Sequence, residues 1–458
     1  MSVEEALARC AEIDGADTKV SLRSVLALDH DAVVRTAAVE QPGGLLHGVP
    51  VLVKDNIEAE GLPCTAGSLA LAGVPVRADS TVASRLRRAG AVIIGAANLS
   101  EWANIRSTGS SSGWSAVGGL VANPWCLDRS AGGSSSGSGA AVAAGIVPMA
   151  VGTETDGSIT CPAALNGVVG IKPTVGSIPT DGIVPVSKSQ DTPGSLARSV
   201  DGAERMLAVL MDDASLLSRS ASIDVSSLAV GVVDAWRTGH DATDAVFDDA
   251  VRHVKRLVRS MSASNMIATS DDVHNDEFTV LVHELRSDLD EYLIARVLNG
   301  APTSIQEVVE FNRVHADSEL QHFGQEIFEM AANSNGRASN EYREARKRNL
   351  DWVHETLDVA LSAHNVLISP AYMPAWRTDF SQGHPQAGGA VTTPAAIAGL
   401  PIVTIPMGLV TGLPVGLSLV GPKNSEAMLI ALARSLENAL CLVNDAEWAP
   451  RFMQSLSL

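Results

Sequence analysis

The chain has 458 residues, of which 46% are hydrophobic, and its formal net charge at pH 7 is −19. This length can bury a large core, as one α/β domain or as two or three smaller ones, and the negative charge excludes nucleic acid and anionic membrane as main partners. No apolar run approaches the ~20 residues of a membrane-spanning helix, and the N-terminus lacks the basic and apolar regions of a secretory signal. These features predict a soluble, cytoplasmic protein.

The cysteines and histidines show no metal-binding or disulfide pattern. The five cysteines are scattered and odd in number: Cys10, Cys64, Cys126, Cys161 and Cys441. They form no C-x-x-C pair, and the histidines form no H-E-x-x-H motif. We therefore expect neither a disulfide framework nor a metal site, and we interpret Cys161 as a small buried residue.

Helical and strand patterns alternate along the chain, which predicts a mixed α/β sheet. The first apolar run, 49–53, ends at Lys54, and a helix over 80–89 follows with Ser80 as its N-cap candidate. Further strands are predicted over 91–94, 149–152, 168–171, 228–233, 366–368, 402–405 and 415–420, and a final helix over 425–439.

The residue pattern changes between residues 241 and 358, where the chain is rich in charged residues, has helical periodicity and contains few predicted strands. We interpret this stretch as a helical segment inserted in or covering the α/β core. The organisation expected is one domain over 1–458, with a core over about 45–200, a helical, substrate-shaping segment over about 241–360 and a return to the core over about 361–445.

The most unusual segment is 130–139, which reads S-A-G-G-S-S-S-G-S-G. A flexible linker is disfavoured because the run passes directly into a small-residue helix predicted over 140–147. No lysine follows as a phosphate-binding loop requires, and Val142 breaks the dinucleotide fingerprint. Residues 133–137 match the G-x-S-x-G nucleophile elbow, but the preceding residues make a poor strand. The remaining interpretation is a serine-lined active-site loop at a helix N-terminus.

A second segment, 152–163, follows a predicted strand and forms a polar turn that ends in Ser158. A serine in such a turn can expose its hydroxyl while neighbouring N–H groups converge on the same point, which is the geometry of an oxyanion hole. An ordinary β-turn is the alternative interpretation of this segment taken alone.

These two segments, together with G-V-P-V-L-V-K-D-N over 48–56, resemble the amidase signature family in order, spacing and residue type. The resemblance covers about 20–200 and resumes over 393–401 and 412–417, roughly two thirds of the chain. It implies a mixed, mostly parallel central β-sheet covered by α-helices on both faces. It also implies a serine hydrolase that uses no cofactor and no metal.

Members of this family carry a Ser–cis-Ser–Lys triad. By position, the resemblance assigns the base to Lys54, the bridging cis-serine to Ser134 and the nucleophile to Ser158. Burial at the end of an apolar strand lowers the pKa of a lysine, which then serves as the base that a serine nucleophile needs. The oxyanion hole that the resemblance implies is the backbone of Thr155, Asp156, Gly157 and Ser158.

Two departures bear on the substrate. Most of the family reads G-G-S-I-R around the nucleophile, whereas this chain has Asp156 in place of the first glycine and Thr160 in place of the arginine. This variant, with the segments 98–104, 112–115 and 369–376, is similar to the peptide amidase branch, whose members remove the C-terminal amide of peptides and release ammonia. The partner expected is therefore a peptide or small-molecule amide.

Several alternatives stay open at this point. Within the fold they are the glutaminase component of a tRNA-dependent amidotransferase, an aryl acylamidase and a biuret-type hydrolase of small amides. Outside this class the alternative is a non-catalytic binding protein on the same scaffold. The sequence also leaves a homodimer open.

Overall fold

The computed structural model describes most of the chain: residues 1–15, 18, 20–29, 31–37, 43–73, 76, 78–296, 301–381, 383, 385, 388–442 and 448–456. In this part of the chain, eleven strands form one large sheet and two short strands form a separate pair. The predicted end of the core near residue 445 lies outside the described residues.

The strands are short, and almost all of those in the large sheet are buried. In chain order they are β1 Val25–Leu28, β2 Pro50–Lys54, β3 Val92–Ala97, β4 Trp114–Ser115, β5 Gly119–Leu120, β6 Met149–Glu154, β7 Val169–Lys172, β8 Thr192–Ala197, β9 Ala229–Val232, β10 Ser260–Ala263, β11 Val366–Pro370, β12 Ile402–Val410 and β13 Leu413–Val420.

The large sheet has the order β1-β3-β2-β6-β8-β7-β12-β13-β11-β9-β10. Neighbouring strands run parallel in two blocks, β3-β2-β6 and β11-β9-β10. They run antiparallel between these blocks and at β1. The mixed sheet is thus confirmed, with its parallel pairings concentrated in the two blocks. In the first block the carboxyl ends of three parallel strands meet at one edge, where β2 ends at Lys54 and β6 at Glu154.

The helices cover the sheet and build the segment beyond residue 241. They are α1 Val3–Ile13, α2 Ala32–Ala37, α3 Thr81–Arg88, α4 Ser136–Ala143, α5 Thr160–Asn166, α6 Val200–Met211, α7 Ser215–Ser222, α8 Asp241–Leu257, α9 Asp271–Ala295, α10 Ile305–Val314, α11 Ala316–Glu319, α12 Glu326–Asn333, α13 Asn340–Glu355, α14 Leu357–Ala363, α15 Thr392–Ala398 and α16 Glu426–Leu440. None of the helices in the described ranges is both long and apolar enough to cross a membrane.

Both faces of the sheet carry a hydrophobic core. In β2, Val51 and Val53 pack into one core with α3, α6, α8 and α16, whereas Leu52 packs into the other with α1 and α4. Successive residues of a strand point to opposite faces, so a strand covered by helices on both sides must be apolar throughout. This explains the continuous apolar run before Lys54, and the predicted helices on both faces are confirmed.

Most predicted elements are present, and the differences have local causes. The helix predicted over 80–89 is α3, where Ser80 Oγ accepts a hydrogen bond from Ala83 N at 3.1 Å. The strand β8 was not predicted from the sequence, because it contains Pro193 and Gly194, which disfavour a strand. The strand β10 lies inside the segment predicted to be helical, and its largely exposed residues carry no apolar alternation.

The small-residue helix predicted over 140–147 begins earlier, at Ser136, and ends at Ala143. The serines that suggested a loop are buried within it, because their hydroxyls bond to backbone oxygens. Ser136 Oγ donates to the carbonyl of Gly132 at 2.5 Å, and Ser138 Oγ donates to that of Val151 in β6 at 3.0 Å. The helix therefore starts within the glycine–serine segment.

A buried ion pair ties the helical segment to the core. Arg106 Nη1 donates to Glu101 Oε1 at 2.5 Å and to Glu319 Oε2 at 3.2 Å, and all three side chains are fully buried. The other oxygen of Glu319 accepts from Ser68 Oγ at 3.0 Å and from Leu69 N at 2.6 Å. One carboxylate of α11 thus holds two separate parts of the core.

We predict that Glu319→Ala lowers the free energy of unfolding by about 3–5 kcal/mol, because it leaves a buried guanidinium short of a partner. The matched control is Asp351→Ala, which breaks the exposed Lys347–Asp351 pair of α13. We expect the control to cost less than about 1 kcal/mol. Urea unfolding followed by circular dichroism measures both variants, and equal losses would contradict this account of the segment's attachment.

Candidate active site

Lys54 ends β2 with a fully buried side chain. Its Nζ lies 2.7 Å from Ser134 Oγ, 2.9 Å from Thr153 Oγ1 and 3.2 Å from the Thr153 carbonyl oxygen. Asn56 Nδ2 donates to the same threonine hydroxyl at 3.0 Å. Because Thr153 lies near the end of β6, which pairs in parallel with β2, the strand register itself brings the lysine to this threonine.

The surroundings of Lys54 favour a neutral amine. Burial lowers its pKa from the ordinary value of 10.5 to about 7, while the negative charges of Asp191 and Glu154 act in the opposite direction. The cause is the lost hydration of an ammonium group in the protein interior. An amine whose pKa lies near neutrality can both take up and return a proton at physiological pH.

Ser134 belongs to the loop before α4 and is fully buried. The Gly133–Ser134 peptide bond is cis, and the Ser134 carbonyl accepts from Ser100 N at 3.0 Å. The next residue, Ser135, donates its hydroxyl to the Thr153 carbonyl at 3.1 Å. Among the three consecutive serines, Ser134 is thus the one that contacts the amine of Lys54.

A tight turn carries Ser158 from β6 to α5. The carboxylate of Glu154 accepts from Ile159 N at 2.6 Å and from Thr160 N at 2.9 Å, which holds the two ends of the turn together. Gly157 has a φ of +77°, and a β-carbon there would lie 2.6 Å from the hydroxyl of Tyr372. Both the backbone conformation and the space therefore require glycine before Ser158.

Ser158 is 7% exposed and lines a cavity of about 590 Å³. Its carbonyl accepts from Ser135 N at 3.1 Å, which joins the turn to the Ser134 loop. The hydroxyls of Ser134 and Ser158, both in described positions, form no hydrogen bond with each other. Such contacts are often longer before substrate binds. Among the described residues, the N–H groups of Gly157 and Ser158 meet no hydrogen-bond acceptor, so both can serve a ligand.

Residues from distant parts of the chain line the cavity. Its wall combines the Gly133 loop, the turn at Ser158, His274 of α9 and the segments 372–376 and 388–393. Tyr372 and Trp376 belong to the segment 369–376, which the sequence analysis singled out only because it resembles the peptide amidase branch. The helical segment expected to shape substrate preference contributes His274 to this wall.

Cys161, three residues after Ser158, is a buried cysteine. Cys161 is 5% exposed, and burial raises the pKa of its thiol to about 12. The reactive form of a cysteine is the thiolate, which this environment disfavours. The interpretation of Cys161 as a small buried residue is confirmed.

The side chains of Thr155 and Asp156 have separate partners. Thr155 Oγ1 donates to Asp191 Oδ1 at 2.5 Å, and the other oxygen of Asp191 accepts from Val186 N at 2.8 Å. Burial raises the pKa of Asp191 to about 7. Asp156 Oδ2 accepts from Thr393 Oγ1 of α15 at 2.6 Å. These contacts hold the turn from both sides.

Sequence reasoning missed three residues of the site. Thr153 and Glu154 stand inside the quoted motif, but only the parallel register of β2 and β6 shows that they serve Lys54 and the turn. Glu277 of α9 lies beside Asp156, and burial, the charge of Asp156 and a hydrogen bond between the two carboxyl groups raise the pKa of Glu277 well above its usual range. No local signal in α9 marks this glutamate.

Known proteins resemble the chain along almost its whole length. The family model described as amidase matches residues 2–430. A solved structure of peptide amidase in complex with the competitive inhibitor chymostatin is 36% identical with a TM-score of 0.89, and the match covers 98% of this chain and 94% of that one. For the native peptide amidase from Stenotrophomonas maltophilia the identity is 36% and the TM-score 0.86, over 95% and 92% of the two chains.

A relative of another kind is similarly close in sequence. The glutamyl-tRNA(Gln) amidotransferase of Symbiobacterium thermophilum has an A-type subunit that is 32% identical over 455 residues, which is 94% of this chain and 91% of that protein. Family match, fold and sequence relatives agree: the chain belongs to the amidase family and is a hydrolase that acts on the C–N bond of amides.

Proposed function

We propose that the chain hydrolyses a linear carboxamide, with Ser158 as nucleophile and with Ser134 and Lys54 as the groups that move its proton. The observation that carries the proposal is the buried contact of 2.7 Å between Lys54 Nζ and Ser134 Oγ. A serine hydroxyl is a weak nucleophile and needs a base that can accept its proton. A buried lysine with a pKa of about 7 meets that need.

The hydrogen-bond partners of Lys54 suit a neutral amine. Its two N–H groups donate to the hydroxyl and the carbonyl of Thr153, which leaves the lone pair directed at Ser134. In the substrate complex that we propose, the Ser134 hydroxyl donates to Lys54 and accepts from Ser158. When Ser158 Oγ bonds to the substrate carbonyl carbon, its proton moves to Ser134 and that of Ser134 moves to Lys54.

The turn supports the charge that develops during this attack. The carbonyl oxygen becomes an oxyanion, and the backbone N–H groups of Gly157 and Ser158 are the donors nearest to the nucleophile, with Thr155 and Asp156 completing the proposed oxyanion hole. Collapse of the intermediate breaks the C–N bond, and the proton returns along the same path to the leaving nitrogen. Ammonia and a Ser158 acyl ester result.

Water completes the cycle. The neutral Lys54–Ser134 pair takes a proton from the water molecule as its oxygen attacks the ester carbonyl, and Ser158 recovers a proton as the leaving group. A carboxylic acid is released, and no cofactor takes part. The requirement for neutral Lys54 fixes the direction of the pH dependence, because the neutral fraction rises as pH rises through the pKa of about 7.

Among linear amides we propose the C-terminal amide of a peptide or a similar compound. The support is the 36% identity to two peptide amidase structures, together with Asp156 in the turn and Thr160 at the start of α5. The alternative is a glutaminase that works within a tRNA-dependent amidotransferase, which the 32% identity to the Symbiobacterium thermophilum protein favours. Thr160 counts against it, because such glutaminases normally carry arginine after Ser-Ile.

We predict that the protein releases ammonia from peptide amides at least about tenfold faster, in kcat/KM, than from glutamine. Coupled measurement of ammonia over a panel of peptide amides, glutamine, malonamide and anilides checks this order. Ser158→Ala is the control and should release none. A preference for glutamine, strengthened by an added partner protein, would favour the alternative.

The choice of Ser134 among three serines is also testable. We predict that Ser134→Ala lowers kcat by about 10²-fold or more, because the path from Ser158 to Lys54 is broken. Ser136→Ala is the matched control: its hydroxyl bonds to the Gly132 carbonyl and to Ser100 Oγ and does not contact Lys54, so kcat should fall by less than about tenfold. Equal losses in two variants with native circular dichroism would refute the assignment.

A further inference from the structure

The hydroxyl of Thr153 receives two hydrogen bonds and has no separate acceptor for its own proton. Lys54 Nζ donates to Thr153 Oγ1 at 2.9 Å, and Asn56 Nδ2 donates to the same oxygen at 3.0 Å, so both of its lone pairs are occupied. Within the described part of the chain, the hydroxyl proton meets no acceptor other than the amine of Lys54. A proton turned toward that amine would occupy the lone pair that Ser134 needs.

Asn56 is held firmly beside this hydroxyl. It lies two residues after the end of β2 and is 4% exposed, and its backbone carbonyl accepts from Val184 N at 2.9 Å. Its side-chain oxygen Oδ1 has no hydrogen-bond partner among the residues that the structure describes. A buried amide oxygen without a donor is costly, so a donor is expected next to it.

A small cavity adjoins both Asn56 and Thr153. Its volume is about 10 Å³, which is the space that one water molecule needs. An internal water molecule requires two to four polar partners, and the wall offers enough of them. The polar side chains that line this cavity are those of Asn56, Thr153, Thr155, Thr180, Asp191 and Thr192. The site therefore has both the size and the polarity for a bound water molecule.

We propose that this cavity binds one water molecule and that Asn56, together with this water, positions the base. The water accepts a hydrogen bond from the Thr153 hydroxyl and donates one to Asn56 Oδ1, and its other hydrogen bonds to a further oxygen of the wall. The Thr153 proton is thereby kept away from Lys54, whose lone pair stays directed at Ser134. Asn56 is then a positioning residue, and the inference rests on the proposed function, in which Lys54 is the base.

The first test replaces Asn56 by leucine, which has a similar size and no polar atom. We predict that Asn56→Leu lowers kcat by about tenfold, the effect of one hydrogen bond, because Thr153 then donates to the neutral amine of Lys54. KM should stay within about threefold, because Asn56 does not line the larger cavity at Ser158. The new bond stabilises the neutral amine, so the limb of kcat/KM near pH 7 should move to lower pH by about 0.5–1 unit. A loss of structure alone would lower kcat without this shift.

A double-mutant cycle shows whether Asn56 acts through Thr153. Thr153→Val keeps the shape of the side chain and removes the hydroxyl, so Asn56 has no proton left to direct. In this background Asn56→Leu should change kcat by less than about twofold, against about tenfold in the wild-type background. All variants are compared after circular dichroism has shown native structure. Equal effects in the two backgrounds, or an unmoved pH limb in Asn56→Leu, would overturn the proposal.

The water molecule is tested in the wild-type protein, so this result does not depend on how a variant folds. A high-resolution crystal structure of the full chain should show one water within hydrogen-bond distance of both Thr153 Oγ1 and Asn56 Oδ1. A cavity without that water would reject the proposal. Wild-type kcat in Asn56→Leu would reject the role of Asn56 and leave the proposed function intact, whereas a wild-type kcat/KM that lacks the limb near pH 7 would reject Lys54 as the base.

Discussion

The proposed chemistry depends on a lysine that has no access to water. Lys54 is fully buried at the end of β2, and its amine contacts Ser134 and Thr153. Removing an ammonium from water favours the neutral amine, which is the form that can accept a proton. The parallel pairing of β2 with β6 supplies the threonine, and the loop before α4 supplies the serine. The end of β2 thus places Lys54 in a buried environment that favours its basic, neutral form.

The carboxyl groups around this lysine are also removed from water, so each of them needs hydrogen-bond partners within the protein. Glu154 closes the turn by capping two N–H groups, and Asp191 fixes the side chain of Thr155. Each is satisfied by its hydrogen bonds, and each raises the pKa of Lys54 against the effect of burial. Asp156 differs because it lines the cavity, where its Oδ2 accepts from Thr393 Oγ1. Position therefore separates the two carboxyls that support the turn and Lys54 from the one that lines the cavity.

The sequence predicts much of this arrangement: the resemblance assigned Lys54, and the continuous apolar run over 49–53 predicted a buried strand that ends at it. Three adjacent serines have the same chemistry, and only family position selected Ser134. In the structure Ser135 bonds to Thr153 and Ser136 to Gly132, which leaves Ser134 for the lysine. The position of Glu277 beside Asp156 could not be predicted, because the pattern of a helix does not show which distant residues it will contact.

The most direct test of the account is the pH dependence of kcat/KM in the wild type and in Asp191→Asn. Asp191 itself has a pKa raised to about 7, so the variant is needed to assign the titration. We predict that kcat/KM rises with pH through a limb near 7 and that Asp191→Asn moves this limb to lower pH, because a charge that raises the pKa of Lys54 is removed. Loss of the limb in Asp191→Asn, or a kcat/KM that falls as pH rises through 7, would contradict a lysine base.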